Sequence, residues 1–98
     1  MDPKKTLTAV CEILATIQKR QGLPCPELNG DIKPLKDLER FDSPMSLAAT
    51  GKIGRRLGIE IAPGTNLFGD ASSKYTIGKT VALLCKIAEN TPKEPAGA

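Results

Sequence analysis

Residues 41–61 read FDSPMSLAATGKIGRRLGIEI, and this stretch holds the clearest local signals in the chain. Pro44 fits the first position of a helix, because its fixed φ is already helical and its missing N–H would have no partner there. Asp42 and Ser43 are residue types that cap helix starts. Gly58 tolerates the left-handed conformation in which many helices end. The stretch therefore predicts a helix that begins beside Ser43 and ends at Gly58.

The side chains of this helix divide into two faces. An inward stripe at helical spacing is predicted from Leu47, Thr50, Ile53, Gly54 and Leu57. Lys52, Arg55 and Arg56 fall together on the opposite side and make a basic face. Two glycines inside a helix cost about 2 kcal/mol relative to alanine. Gly51 and Gly54 therefore indicate either close helix packing or a loosened entrance to the core.

The segment from Asp42 to Ile61 resembles the recognition segment of acyl carrier proteins, where an Asp-Ser-Leu tripeptide opens the second helix. The pieces that match are Asp42-Ser43-Pro44, Leu47, Ile53, Leu57 and Ile59-Glu60-Ile61. The resemblance implies that Ser43, next to Asp42, carries phosphopantetheine through a phosphodiester and holds acyl groups as thioesters. A phosphate at a helix start would face the positive end of the helix dipole.

The resemblance also implies partners, namely a phosphopantetheinyl transferase and acyl-processing enzymes such as synthases or acyltransferases. The pathway would be fatty acid, polyketide or related biosynthesis. The residues expected to contact these enzymes are Pro44, Met45, Lys52, Arg55 and Arg56. Two features depart from the family, because Pro44 replaces the usual Leu and the helix is basic where relatives are acidic. We therefore expect partners that are acidic at the contact, with a solvated face that binds nothing as the alternative.

The rest of the chain predicts two further long helices. Asp2-Pro3 starts the first, which ends in Lys19-Arg20 and Gly22, and Thr76 caps the last. Prolines interrupt the long connection from Leu23 to Arg40, and a short helical turn is predicted between Pro63 and Lys74. The expected fold is all-α, a small acyl-carrier-like bundle of three main helices plus one short helix, with a long loop after the first. Residues 1–89 form this domain and residues 90–98 a disordered tail.

Composition narrows the possible functions. The 98 residues include no His, three Cys and 3% aromatic residues, with a net charge of +3. Without His there is no imidazole base or ligand, and no nucleophile is paired with a base, so we do not expect an enzyme. The odd Cys count favours a reducing compartment, and no long apolar run or signal peptide is visible. We expect a cytoplasmic monomer that binds no nucleic acid and spans no membrane.

Three alternatives to the carrier interpretation remain open at this point. Ser43 could be an ordinary N-cap, worth about 1 kcal/mol to the helix and nothing to function. The run SLAATGKIGRRLGIEI also looks like the first helix and turn of a helix-turn-helix DNA-binding motif, which requires a recognition helix directly afterwards. Finally, the chain could keep the carrier fold unmodified and act as an interaction module.

Overall fold

The computed structural model describes residues 2–62, 64–70 and 72–90. It contains the helices α1 (Pro3–Arg20), α2 (Pro34–Asp37), α3 (Ser43–Leu57) and α4 (Ile77–Asn90). Extended pairing within these ranges is limited to an isolated bridge between Gly69 and Lys74. The predicted all-α bundle of three main helices and one short helix is confirmed. The predicted tail lies outside the described residues, apart from Asn90, with which α4 ends.

The position of the short helix was predicted wrongly. It lies in the first connection, where Pro34 occupies the first turn and the Asp37 carboxylate accepts a hydrogen bond from the Lys33 amide at 2.8 Å. Between 64 and 74, the described residues form turns and the bridge instead. Gly69 has a φ of 85°, and a Cβ there would overlap the Ser73 carbonyl. The Asp70 carboxylate accepts the Ser72 hydroxyl and the amides of Ser72 and Ser73, which lowers its pKa. These local bonds take the place of a helical turn.

Helix α1 is the centre of the bundle and packs against both α3 and α4. Asp2 caps its start by accepting the Lys4 amide at 2.9 Å. Its end is a Schellman motif, because Gly22 has a φ of 70° and the Leu23 amide reaches the Gln18 carbonyl at 3.0 Å. The buried positions recur every three or four residues and are Thr6, Ala9, Val10, Ile13, Leu14, Ile17 and Gln18.

The core is aliphatic, with one aromatic pair. The Phe41 and Phe68 rings meet edge to face, with centroids 5.5 Å apart and an interplanar angle of 88°. Phe41 directly precedes the cap of α3, and Phe68 belongs to the connection between α3 and α4. The pair therefore ties the start of α3 to the second long connection.

The first long connection also organises α4. The Ile77 amide donates to the Ile32 carbonyl at 2.8 Å, and the Gly78 amide donates to the Gly30 carbonyl at 2.9 Å. The predicted cap Thr76 accepts the Lys79 amide at 3.1 Å. Loop carbonyls and a side chain thus satisfy N–H groups that a helix start leaves without partners. Among the described residues, no helix combines the length and apolar character needed to cross a membrane.

The inward stripe of α3 was predicted only in part. Its buried residues are Ser46, Ala49, Thr50, Ile53 and Gly54, and Leu57 is half-buried. Leu47 is 53% exposed, contrary to the sequence prediction. The physical reason is that α1 covers only the flank of α3 that carries Ala49 and Ile53. The Leu47 flank faces the segment after α3, which leaves an open groove.

Candidate functional site

Ser43 is the first residue of α3 and not its cap. Asp42 holds the cap position, where its carboxylate accepts the Met45 amide at 3.2 Å and its carbonyl accepts the Ser46 amide at 2.8 Å. The sequence allowed either residue to cap and placed Pro44 first in the helix, whereas Pro44 follows Ser43 within the first turn. Ser43 is exposed, and its hydroxyl forms no hydrogen bond within the described chain. Capping is therefore complete without the Ser43 hydroxyl.

The segment before Ser43 is anchored to α1. The buried Gln18 side chain donates from Nε2 to the Glu39 carbonyl at 2.9 Å, while its Oε1 is buried without a partner. Leu38 and Phe41 are buried on either side of Arg40, which adopts a positive φ of 54°. A non-glycine residue in this conformation carries local strain. Two buried side chains and a part-buried hydrogen bond thus hold the backbone around Arg40, directly before the exposed Ser43.

An open groove of about 350 Å³ lies on one flank of α3. Leu47 lies one helical turn beyond Ser43 on the same side, and Leu47, Gly51 and Gly54 line one wall of the groove. Ile59 and Ile61 belong to the opposite wall. The helix wall extends from Leu47 to Arg55, about 12 Å along the axis. Ser43 therefore precedes the Leu47 end of a largely apolar groove by one helical turn.

The two glycines of α3 have different surroundings. A Cβ at Gly54 would lie 3.2 Å from the Ile59 carbonyl oxygen and 3.3 Å from Ile61 Cδ1, whereas a Cβ at Gly51 would meet nothing within 4 Å. Close packing therefore explains Gly54. It does not explain Gly51, which is exposed on the groove wall, where no side chain projects into the groove.

The expected partner residues lie outside the groove, except Arg55, which lines it. Pro44, Lys52, Arg55 and Arg56 are exposed, whereas Met45 is half-buried and packs against the core. Arg56 forms an ion pair with Glu12 of α1 at 2.8 Å, and both side chains are about half exposed. An exposed pair of this kind contributes little stability, about 0 to 1 kcal/mol.

The described residues provide no metal cluster, and the thiols of Cys11 and Cys25 are not activated. No group of three or more potential metal-binding side chains occurs among them. Burial raises the pKa of Cys11, with a smaller contribution from the nearby Cys25, and burial also raises the pKa of Cys25. Both thiols are therefore protonated at neutral pH and are poor nucleophiles.

The helix-turn-helix alternative lacks its second helix. A recognition helix follows a turn of three or four residues in such motifs. Here α3 ends at Leu57, α4 begins at Ile77, and the described residues between them contain no helix. The arrangement of helices therefore does not match that motif.

Two features of the site escaped sequence reasoning. The groove wall at Leu47 was assigned to the core, because periodicity alone does not reveal which flank of a helix is left uncovered. Gln18 was not singled out, although a polar residue among apolar positions of α1 was a visible signal. No family model, characterised protein or solved structure shows significant similarity to this chain.

Proposed function

We propose that this protein is an acyl carrier protein, in which Ser43 carries phosphopantetheine and the arm's thiol holds an acyl group as a thioester. One observation carries the proposal. The Ser43 hydroxyl is exposed, makes no hydrogen bond among the described residues and is not needed as the helix cap. A separate phosphopantetheinyl transferase would load it, so the chain itself needs no catalytic base.

The surroundings of Ser43 suit this role in two respects. A phosphodiester on its oxygen would lie at the positive end of the α3 dipole, although Asp42 already accepts the Met45 amide and contributes negative charge there. From the same helix flank, the arm or its acyl group can lie along the groove past Leu47 and Gly51. Burial of apolar surface in this groove would favour the sequestered chain, at about 25 cal/mol per Å².

Acyl-processing enzymes of fatty acid, polyketide or related biosynthesis would then meet the carrier around Ser43. Pro44, Lys52, Arg55 and Arg56 are the exposed residues for that contact, with half-buried Met45 beside them. The basic charge of this surface favours partners that are acidic at the contact. Pro44 and the basic face are also the features that favour the second candidate, an unmodified interaction module on the same scaffold.

The test is an intact-mass measurement after coexpression with a broad-specificity phosphopantetheinyl transferase. The expected result is a gain of one phosphopantetheine group, abolished by Ser43→Ala. Ser72→Ala is the matched control, because Ser72 is also exposed but lies in the turn at Asp70. It should leave loading intact. A wild-type chain that keeps its unmodified mass, beside a known carrier that is loaded under the same conditions, would overturn the proposal and leave the unmodified module.

A further inference from the structure

The charges of this protein are unevenly distributed over its surface. Of the 14 Lys and Arg residues, those in α1 and α3 are Lys4, Lys5, Lys19, Arg20, Lys52, Arg55 and Arg56. All seven are exposed, and the same two helices contain a single carboxylate, Glu12. The connection between α1 and α3 is mildly acidic by contrast. It holds five carboxylates (Glu27, Asp31, Asp37, Glu39 and Asp42) against three cations (Lys33, Lys36 and Arg40). A mild net charge of +3 therefore conceals a strongly basic pair of helices.

Where α1 packs against α3, basic residues of both helices line two neighbouring clefts. The Glu12–Arg56 ion pair joins the helices near the middle of α1. On one side of it, a cleft of about 180 Å³ is lined by Arg20, Lys52 and Arg56. On the other side, a cleft of about 330 Å³ is lined by Lys4, Lys5 and Arg56. We call the exposed surface of α1 and α3, with its seven cations and Glu12, the basic face. Five of the cations line these two clefts, and Arg55 lines the groove beside Leu47.

Most of the charge on the basic face is not neutralised within the molecule. Glu12 engages only Arg56, and neither Arg20 nor Lys52 has an ion pair or side-chain hydrogen bond in the described chain. Seven cations with one carboxylate create a positive potential that extends about 8 Å into solvent at physiological ionic strength. Such a surface attracts an oppositely charged partner and accelerates its encounter.

The neighbouring surface of α3 indicates which class of negatively charged partner fits the basic face. Pro44, Leu47 and Ala48 are exposed in the first half of α3, and Leu47 is 53% exposed. An apolar contact flanked by charges is typical of protein interfaces. Proteins that bind single-stranded nucleic acids stack the bases on aromatic side chains, and the basic face contains none. Membrane-binding helices use a larger apolar face than a single Leu supplies.

We infer that the basic face binds an acidic surface of a protein partner, with Leu47 as the apolar contact at its edge. The inference deepens the proposed function by naming the chemistry of the partner and by adding α1 to the docking surface. It rests on the proposed function in one respect, namely that the chain works by binding other proteins. It does not require Ser43 to be loaded, so it can fail or hold separately.

The experiment is a titration of the isotope-labelled full chain, observed through its backbone amide signals. The probe is a synthetic amphipathic helical peptide with Glu on one face and Leu beside it. The same peptide with Gln in place of Glu, a DNA duplex, and vesicles of phosphatidylserine and phosphatidylcholine serve as comparisons. We expect the Glu peptide to bind most tightly and to shift the signals of α1 and α3, including Leu47.

Charge reversal tests the location of the contact. Lys52→Glu with Arg55→Glu should weaken binding by about tenfold or more, while it leaves the Glu12–Arg56 pair intact. Lys36→Glu with Lys86→Glu is the matched control, because it changes the net charge equally at two exposed positions outside the face. This control should change the dissociation constant by less than about twofold, because salt screens most of the attraction between these distant charges and the peptide.

Each contrary outcome overturns the inference. If the Glu peptide does not bind, the basic face is a solvated surface. If DNA or vesicles bind more tightly, the partner belongs to a different class. If both double variants lose affinity equally, the attraction is unspecific. The same titration with Ser43→Ala separates the two proposals. Binding that persists while wild-type chain resists loading defeats only the carrier role, whereas successful loading without peptide binding defeats only the docking surface.

Discussion

Helices α1 and α3 begin with the same two residue types, and the difference between their starts concerns Ser43. In α1, Asp2 is followed directly by Pro3, and the Asp2 carboxylate accepts the Lys4 amide at 2.9 Å. In α3, Ser43 stands between Asp42 and Pro44, and the Asp42 carboxylate accepts the Met45 amide at 3.2 Å. An aspartate and a proline are sufficient to start α1. The start of α3 therefore contains one more residue than capping requires, and that residue presents a hydroxyl to solvent.

The two starts also differ in how they are anchored. The first turn of α1 is exposed at Pro3, Lys4 and Lys5. The start of α3 directly follows the buried Phe41, whose ring packs on Phe68, and Gln18 holds the carbonyl of Glu39. A site that must present one hydroxyl to an enzyme benefits from such rigidity, because a positioned group loses less entropy on binding. The following three predictions test this difference.

Removal of the aromatic anchor should have the largest effect. Phe41→Ala should lower the free energy of unfolding by about 3 to 5 kcal/mol, because it removes a buried ring and leaves a cavity against Phe68. Phe41→Leu keeps most of the volume and should cost less than about 2 kcal/mol. Denaturant unfolding followed by circular dichroism measures both. If the alanine variant does not fold, the leucine variant still tests the anchor, since a cost near zero for it would show that the ring contributes nothing specific.

Removal of the caps should have an intermediate and unequal effect. Asp42→Ala should cost about 1 kcal/mol, whereas Asp2→Ala should cost about 0.5 kcal/mol. Asp2 is exposed, so the start of α1 can fray and absorb the loss, whereas the buried Phe41 directly before the cap of α3 holds its first turn in place. Asparagine caps about as well as aspartate, so Asp42→Asn should restore most of the stability. Equal costs at the two positions would contradict the difference in anchoring.

The sequence was informative where local chemistry decides the structure. Asp2, Asp42, Thr76, Gly22 and Gly58 marked helix ends because capping and left-handed turns depend on a few adjacent residues. Three long helices followed from apolar periodicity, and an all-α bundle followed from them. The carrier function did not follow from these patterns. It came from the resemblance of residues 42–61 to a family and stays a prediction.

The sequence was uninformative where tertiary packing decides the structure. Leu47 has the spacing of a core residue, but no helix in the described chain covers its flank of α3. The short helix formed at Pro34 because Asp37 could bond back to the Lys33 amide, while Asp70 bonded to the amides after it and produced a turn. The basic face was only half visible, because the approach of α1 to α3 is a long-range contact. Periodicity shows which residues share a face of one helix, but it does not show which neighbouring element covers that face.

The smallest predicted effect is also the one that separates the two explanations of Ser43. Ser43→Ala should change the free energy of unfolding by less than about 0.5 kcal/mol, because the hydroxyl forms no hydrogen bond among the described residues and Asp42 already caps the helix. If Ser43 were the cap, the same substitution would cost about 1 kcal/mol and match Asp42→Ala. Denaturant unfolding of both variants side by side makes the comparison. A neutral result also ensures that a loss of loading in Ser43→Ala reflects the missing hydroxyl, since the fold that presents it is unchanged. A neutral result would therefore exclude capping as the role of Ser43, and the loading experiment would then decide whether the proposed attachment takes its place.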